Sequence, residues 1–345
     1  MTQVNQRPAP TVPAGYRVRP TTLADADAVD QLYAISYRPK NLPHRPNADE
    51  LRLDWQSPRF DLSTSSIVIE DDSQLVAIAT VWDTSQPPVR PWLSWVLHPD
   101  YYETAIAQYV IDWLEHTAQR VFDRCPADAK IAFETGVLLG YHPREALITA
   151  NGYQHVRTFQ RMVVRHDAPP PAVQMPDGFS LRPLRYPDEL PDYVHAFRDS
   201  FQDHYGYVDQ PFANELESWR HWLDHEPDFN PQTFYLAIDD ATGAIAAFCF
   251  AVDERKTDPD YAYVHELGTC RAYRKRGLAS TLLRHTFQQM YERGRPNVAL
   301  HVDADSITGA TRLYQRVGMS PDQAFGDYEK IMRDGRELAN TGKEA

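Results

Sequence analysis

The chain has 345 residues and a formal charge of −13, with 42% hydrophobic and 24% charged residues. That length suits two domains of ordinary size, and the composition is that of a globular protein, neither disordered nor fibrous. The acidic balance argues against a nucleic-acid partner, whose phosphates need a basic face, and no apolar run approaches the roughly 20 residues of a membrane-spanning helix.

Residues 1–14 have no apolar stretch behind a basic head, so they read as a flexible tail and the protein is expected in the cytoplasm. The three cysteines, Cys125, Cys249 and Cys270, are far apart and odd in number. They fit neither a disulfide framework nor a CxxC metal site, and are expected as reduced thiols.

A degenerate repeat organises the rest. Gly15-Tyr16-Arg17-Val18-Arg19-Pro20 returns as Gly178-Phe179-Ser180-Leu181-Arg182-Pro183, each a short strand running into an acidic helix start. The hairpin expected over Ile67 to Val81, turning at Asp71, Asp72 and Ser73, matches Phe234 to Phe250, turning at Asp239 to Gly243. Near the ends, Asn151-Gly152-Tyr153 with Arg161-Met162-Val163 echoes Val317-Gly318-Met319 with Lys330-Ile331-Met332. The order and spacing of these landmarks are kept. Proline-rich residues 166–177 read as a linker between a first domain at 15–165 and a second at 178–333, with a polar tail over 334–345.

In the second copy, Tyr261 to Thr269 alternates as a strand, and Leu278 to Arg293 has a helical apolar face stopped by Gly294. Between them lies the basic turn Arg274-Lys275-Arg276-Gly277-Leu278-Ala279, followed by Ser280 in the first helical turn. Strand, glycine turn and helix N-terminus together present free amides and the positive end of a helix dipole to an anion. A second strand, Val298 to Val302, leads to a helix expected from Asp305 and Ser306 to Gly318.

Arg274-x-x-Gly277-x-Ala279 after a strand resembles the central signature of the GNAT superfamily of acyl-CoA N-acyltransferases. Val302, Ser306, Ala310, Leu313, Tyr314, Gly318 and Met319 resemble its second signature, with Ser306 in place of the usual Asn and Met319 in place of the usual aromatic. The resemblance covers residues 179–332, and the tandem layout is similar to that of mycothiol synthase and its relatives. It implies an α/β fold of two tandem domains, each a mostly antiparallel mixed sheet flanked by helices. It also implies an acetyl-CoA-dependent acyltransferase, with a small-molecule primary amine as acceptor and direct transfer. Transfer to a protein Lys or N-terminus, or non-catalytic acyl-CoA sensing, are the alternatives. No metal is expected, and the state is expected to be monomer or weak homodimer.

By position, the resemblance assigns the backbone of Leu267, Gly268 and Thr269 to the pantetheine arm. Residues Arg274 to Ser280 fall to the pyrophosphate, and Ser306 to a further cofactor contact. Tyr314 stands where the family keeps the acid that protonates the departing thiolate, a role a phenol of pKa ~10 suits. Alternation puts Tyr263, His265 and Leu267 on one face and Val264 and Glu266 on the other. The general base is His265 or Glu266, since a bulge could swap their faces; His265 is preferred. An aromatic segment, Phe201, His204, Tyr205, Tyr207, Phe212, Trp219 and Trp222, is expected to be mostly core with a few rings at the acceptor. His221 and His225 form an i, i+4 pair without the HExxH glutamate, so they read as a solvated helix face. In the first copy the turn reads Leu97 to Ala105, with Glu103 and no glycine, and Ile148 falls where Tyr314 would. That domain is expected to be inactive and not to hold CoA.

Overall fold

The structure, a computed structural model, describes residues 7–37, 45–253, 258, 260–306 and 309–342. The outermost residues of both tails, and Ile307 and Thr308 before the last helix, lie outside the described residues.

In chain order the first half comprises β1 (Arg17–Pro20), α1 (Ala26–Tyr37), α2 (Ala48–Asp54), α3 (Leu62–Ser65), β2 (Ser66–Glu70), β3 (Leu75–Trp82), β4 (Trp92–Leu97), α4 (Ala105–Ala118), β5 (Ile131–Leu138), α5 (His142–Ala150) and β6 (Gln154–Arg165). The second comprises β7 (Phe179–Pro183), α6 (Leu190–Phe201), α7 (Phe212–His225), β8 (Phe234–Asp239), β9 (Ile245–Val252), β10 (Ala262–Thr269), α8 (Leu278–Glu292), β11 (Asn297–Asp303), α9 (Ala310–Arg316) and β12 (Ser320–Arg333). Both expected hairpins are present, as β2–β3 and β8–β9. The last helix starts at Ala310, later than Asp305 and Ser306 suggested. Gly309, with φ of 70°, is its N-cap, a left-handed position that the preceding capping-type residues do not fill.

The compact units do not follow the repeat boundaries. Unit 1 comprises residues 1–158 and 325–339, and unit 2 comprises residues 159–324 and 340–345. The last strand of each repeat is the cause. Phe159–Arg165 of β6 pairs antiparallel with β11 inside unit 2, and Phe325–Arg333 of β12 pairs antiparallel with β5 inside unit 1. Apolar alternation along a strand states which face is buried, not which strand is the neighbour. The proline-rich linker itself carries no helix or strand, as its composition suggested.

Unit 1 has the strand order β1-β2-β3-β4-β5-β12. One face is covered by α4, whose Ile106, Val110 and Leu114 meet Ile69, Leu97 and Phe133; α1 and α2 cover the other. Glu115 of α4 is fully buried and is held by Lys330 at 2.7 Å and by Arg7 at 2.9 Å, so its charge is paired where desolvation would otherwise be costly.

Unit 2 has the order β6-β11-β10-β9-β8-β7. Helix α8 places Leu278, Leu282, Leu283, Phe287 and Met290 on one stripe against the sheet, each burial contributing about 1.5–3 kcal/mol. On the other face, Leu190, Tyr193 and Val194 of α6 and Leu223 of α7 meet Phe234, Phe248 and Phe250. The antiparallel ladder continues from β7 through β10, but β10 and β11 run parallel and register only at Ala262↔Val298 and Tyr263↔Ala299. Beyond Tyr263 the two strands part, so the edge of Glu266 to Thr269 that faces β11 has no registered partner among the described residues.

Candidate active site

The open edge of β10 runs directly into the basic loop. A 3₁₀ turn at Arg271–Tyr273 leads to Lys275 at φ of 65° and Gly277 at φ of 82°. A left-handed lysine costs roughly 1–2 kcal/mol, and here it curls the loop onto the N-terminus of α8. No side chain caps that helix, and no amide from Lys275 to Ser280 has an acceptor among the described residues. A Cβ added to Gly277 would meet nothing within 4 Å, so glycine serves the backbone conformation and leaves the concavity open. These are the features of an anion cradle.

The loop cations are divided. Lys275 and Arg276 are exposed, and Arg276 lies 5.5 Å from the Tyr273 ring centroid. Arg274 turns inward: its guanidinium pairs with Asp203 just past α6, donates to Ser200 O at 2.9 Å and to Thr269 O at 3.3 Å. Arg271 is held by Asp199, which accepts from its amide at 2.7 Å and from Nε at 3.0 Å. Arg274 therefore fastens loop to helix, while Lys275, Arg276 and the amides face outward. Ser280 donates its hydroxyl to Gly277 O at 2.8 Å, steadying the first turn.

Alternation along β10 is broken by a bulge. The register against β9 slips between Val264 and Glu266, with His265 as the extra residue. Val264 packs in the α8 core, and Leu267 packs against that same core after the slip. Glu266 lies opposite Phe250, whose ring belongs to the α6/α7 core. His265 and Glu266 thus share the α6/α7 face, and the grouping of His265 with Leu267 does not hold. His265 is packed among rings, 4.9 Å from Tyr263, 5.0 Å from Trp222 and 5.8 Å from Phe250. Burial pushes the Glu266 carboxyl up to about 8. Gly268 sits beneath Phe248, where an added Cβ would lie 2.2 Å from the ring.

Tyr314, on α9, is buried, and burial holds its phenol well above the ordinary tyrosine value, with smaller contributions from Cys249 and Glu266. Cys249 lies opposite Leu267 on β9, and the Thr286 hydroxyl donates to its sulfur at 3.2 Å, so this thiol is a buried core group. Ser306 accepts from the Gly309 amide at 3.2 Å, in the turn that enters α9.

Of the aromatic segment, Phe201, Phe212, Trp219 and Trp222 pack against the α6/α7 core, and Trp222 alone among these reaches the His265 ring. His225 Nδ1 is 2.7 Å from His221 O, a contact within one helix turn, and no group of metal-ligating side chains occurs among the described residues. Asp203, the partner of Arg274, gives no sequence signal: 71 residues separate the two.

Residues 192–319 match the Acetyltransferase (GNAT) family. A mycothiol acetyltransferase from a Mycobacterium species is 27% identical over 169 residues, 47% of this chain and 52% of that protein, so the chain spans about half the length of this relative. One from Salinispora arenicola is 27% identical over 255 residues, 72% of this chain and 76% of the relative. Among solved structures, a GCN5-related N-acetyltransferase from Sphaerobacter thermophilus superposes with a TM-score of 0.78 at 26% identity, covering 95% of this chain and 99% of that one. A tandem GNAT protein from the clavulanic acid biosynthesis pathway gives a TM-score of 0.64 at 14% identity, over 93% of this chain and all of that one, a likeness of fold. Residues 192–319 are thus similar to the GNAT acetyltransferase family, within a fold like that of a tandem GNAT protein.

Proposed function

We propose that unit 2 is an acetyl-CoA-dependent N-acetyltransferase that acts by direct transfer on a primary amine of a small molecule, with Glu266 as base and Tyr314 as acid. The observation that carries this reading is the unpaired edge of β10, which bears Glu266 and runs into a basic loop whose amides open the uncapped helix α8. The uncapped amides of Lys275 to Ser280 and the exposed Lys275 and Arg276 suit a pyrophosphate, and the open edge of Leu267, Gly268 and Thr269 suits an extended amide-bearing arm. Acetyl-CoA supplies the acetyl group as a thioester when bound. A carboxyl of pKa near 8 can take a proton from an alkylammonium far more readily than an ordinary glutamate, whose basicity is too low. Tyr314 keeps its proton at neutral pH and can yield it to a thiolate.

Glu266 is preferred to His265 because the histidine ring is packed among Trp222, Phe250 and Tyr263, which makes it a wall of the acceptor site. Relatives named for mycothiol acetyl transfer support a small-molecule acceptor over a protein one. Unit 1 is read as non-catalytic. Its turn enters α4 from Thr104 with Glu103 exposed, and Ile148 fills the place of Tyr314. Release of free CoA thiol from acetyl-CoA, measured against an amine library, tests the reading. Turnover lost in Tyr314→Phe and Glu266→Gln is expected; saturable CoA binding with no turnover on any amine would leave a sensor instead.

A further inference from the structure

Unit 1 contains a pocket that no catalytic role uses. It has a volume of about 170 Å³ and opens between α1, α2, β3 and β4. Tyr33, Trp55 and Trp82 form its aromatic walls, Thr80 and Ser94 line it within the sheet, and Asp54, exposed at the end of α2, also lines it.

Register explains why space exists there. Leu97 ends β4 opposite Ala77, as Thr269 ends β10 opposite Ala247. Three residues back, Ser94 opposite Thr80 is the counterpart of Glu266 opposite Phe250. A threonine thus stands where the other copy has a phenylalanine, and the Ser94 hydroxyl, hydrogen-bonded to Tyr33, stands where it has a carboxylate. Ile78 likewise replaces Phe248. Two ring positions of the other copy are thus held by smaller side chains here, and Ile78, Thr80 and Ser94 all line the pocket.

We propose that this pocket is a non-catalytic binding site for a small protonated amine with an apolar body. Aromatic faces attract an ammonium through their quadrupoles, and a carboxylate at the mouth adds a Coulombic partner. Asp54 is the one charged side chain in the lining. The nearby cation, Arg144, is not among the lining residues; its guanidinium lies 4.0 Å from the ring centroid of Trp95, which does line the pocket, and its NH1 donates to Trp95 O at 2.8 Å, so the walls open to a ligand cation are Tyr33, Trp55 and Trp82. The base position is a hydroxyl, so an amine held here keeps its proton and does not react. The inference rests on the pocket and its register, not on turnover in unit 2.

Titration of the full chain with primary amines, their isosteric alcohols and the matching carboxylic acids, followed by calorimetry and tryptophan fluorescence, tests it. Saturable amine binding is expected, with fluorescence change from Trp55 and Trp82. Asp54→Asn should weaken it about tenfold and Thr80→Phe should abolish it by refilling the pocket, with amine acetylation unchanged in Asp54→Asn. Asp54 is exposed, so that variant stays informative even where Thr80→Phe fails to fold. The proposal is overturned by three results: no saturable amine binding, binding indifferent to Asp54→Asn, or alcohols or acids binding as tightly as the amine.

Discussion

Arg274 reaches back from the loop to Asp203, donating to Oδ1 at 3.1 Å and, through its other nitrogen, to Oδ2. The motif's arginine is therefore spent on holding the loop rather than on lining it.

Asp203→Ala should release that clamp. The pair is roughly three-quarters buried and bidentate, so its loss is expected to cost about 1–2 kcal/mol in loop order. The consequence falls on binding: KM for acetyl-CoA should rise about fivefold to tenfold with kcat little changed, as steady-state kinetics would show. An equal fall in kcat would instead place Asp203 in the chemistry.

As the proposed base, Glu266 should make activity and stability depend on pH in opposite directions. As base it must be ionised, so kcat/KM should climb as pH rises toward about 8, and Glu266→Gln should flatten that limb. Its folded pKa lies above the unfolded value of ~4.3, so the folded state holds the extra proton between the two. Stability then falls as pH rises from about 4.3 to 8, and the whole penalty is present above 8. Glu266→Gln should therefore be more stable than wild type at pH 9, by on the order of a few kcal/mol, and so melt higher, and the gap should close at pH 4. Melting curves across that range check the sign.

Tyr314→Phe removes one oxygen from a buried ring that otherwise packs in the α8 core. Folding should survive with the melting temperature nearly unchanged. Loss of a positioned acid should lower kcat about 100-fold and leave the acetyl-CoA KM near wild type. Unaltered kcat would show that the thiolate leaves without this proton.

Gly268→Ala tests the sheet beneath the site. Its Cβ would fall 2.2 Å from Cζ of Phe248, a ring with no exposed surface. The ring must move, at a cost of about 1–3 kcal/mol. Chemical denaturation should show this loss, and Phe248→Leu in the same chain should recover part of it.

Much of this was legible in the residues. Arg274 to Ala279, the strand before it and the apolar stripe of α8 are local features, and local patterns reveal them. Tyr314 was singled out by the resemblance of residues 302–319 to a family signature. Three things were hidden. The slip at His265 puts that residue and Glu266 on one face, and a bulge depends on how Phe250 and Ala251 sit across the ladder, which no alternation within β10 encodes. The Asp203 clamp joins segments distant in sequence. The helix start at Ala310 turns on a left-handed Gly309, where Asp305 and Ser306 offered a more conventional cap. Each is set by tertiary partners.

The exchange of last strands has a consequence for inheritance. A gene cut at the proline-rich linker would yield a second half that lacks Phe159–Arg165, the strand beside β11, and keeps Phe325–Arg333, the strand that completes the first half's sheet. Such a fragment would bare one hydrogen-bonding edge at β11 and carry an orphan strand, two invitations to aggregate. Neither copy can be discarded by a single deletion, because each supplies the strand that completes the other's sheet.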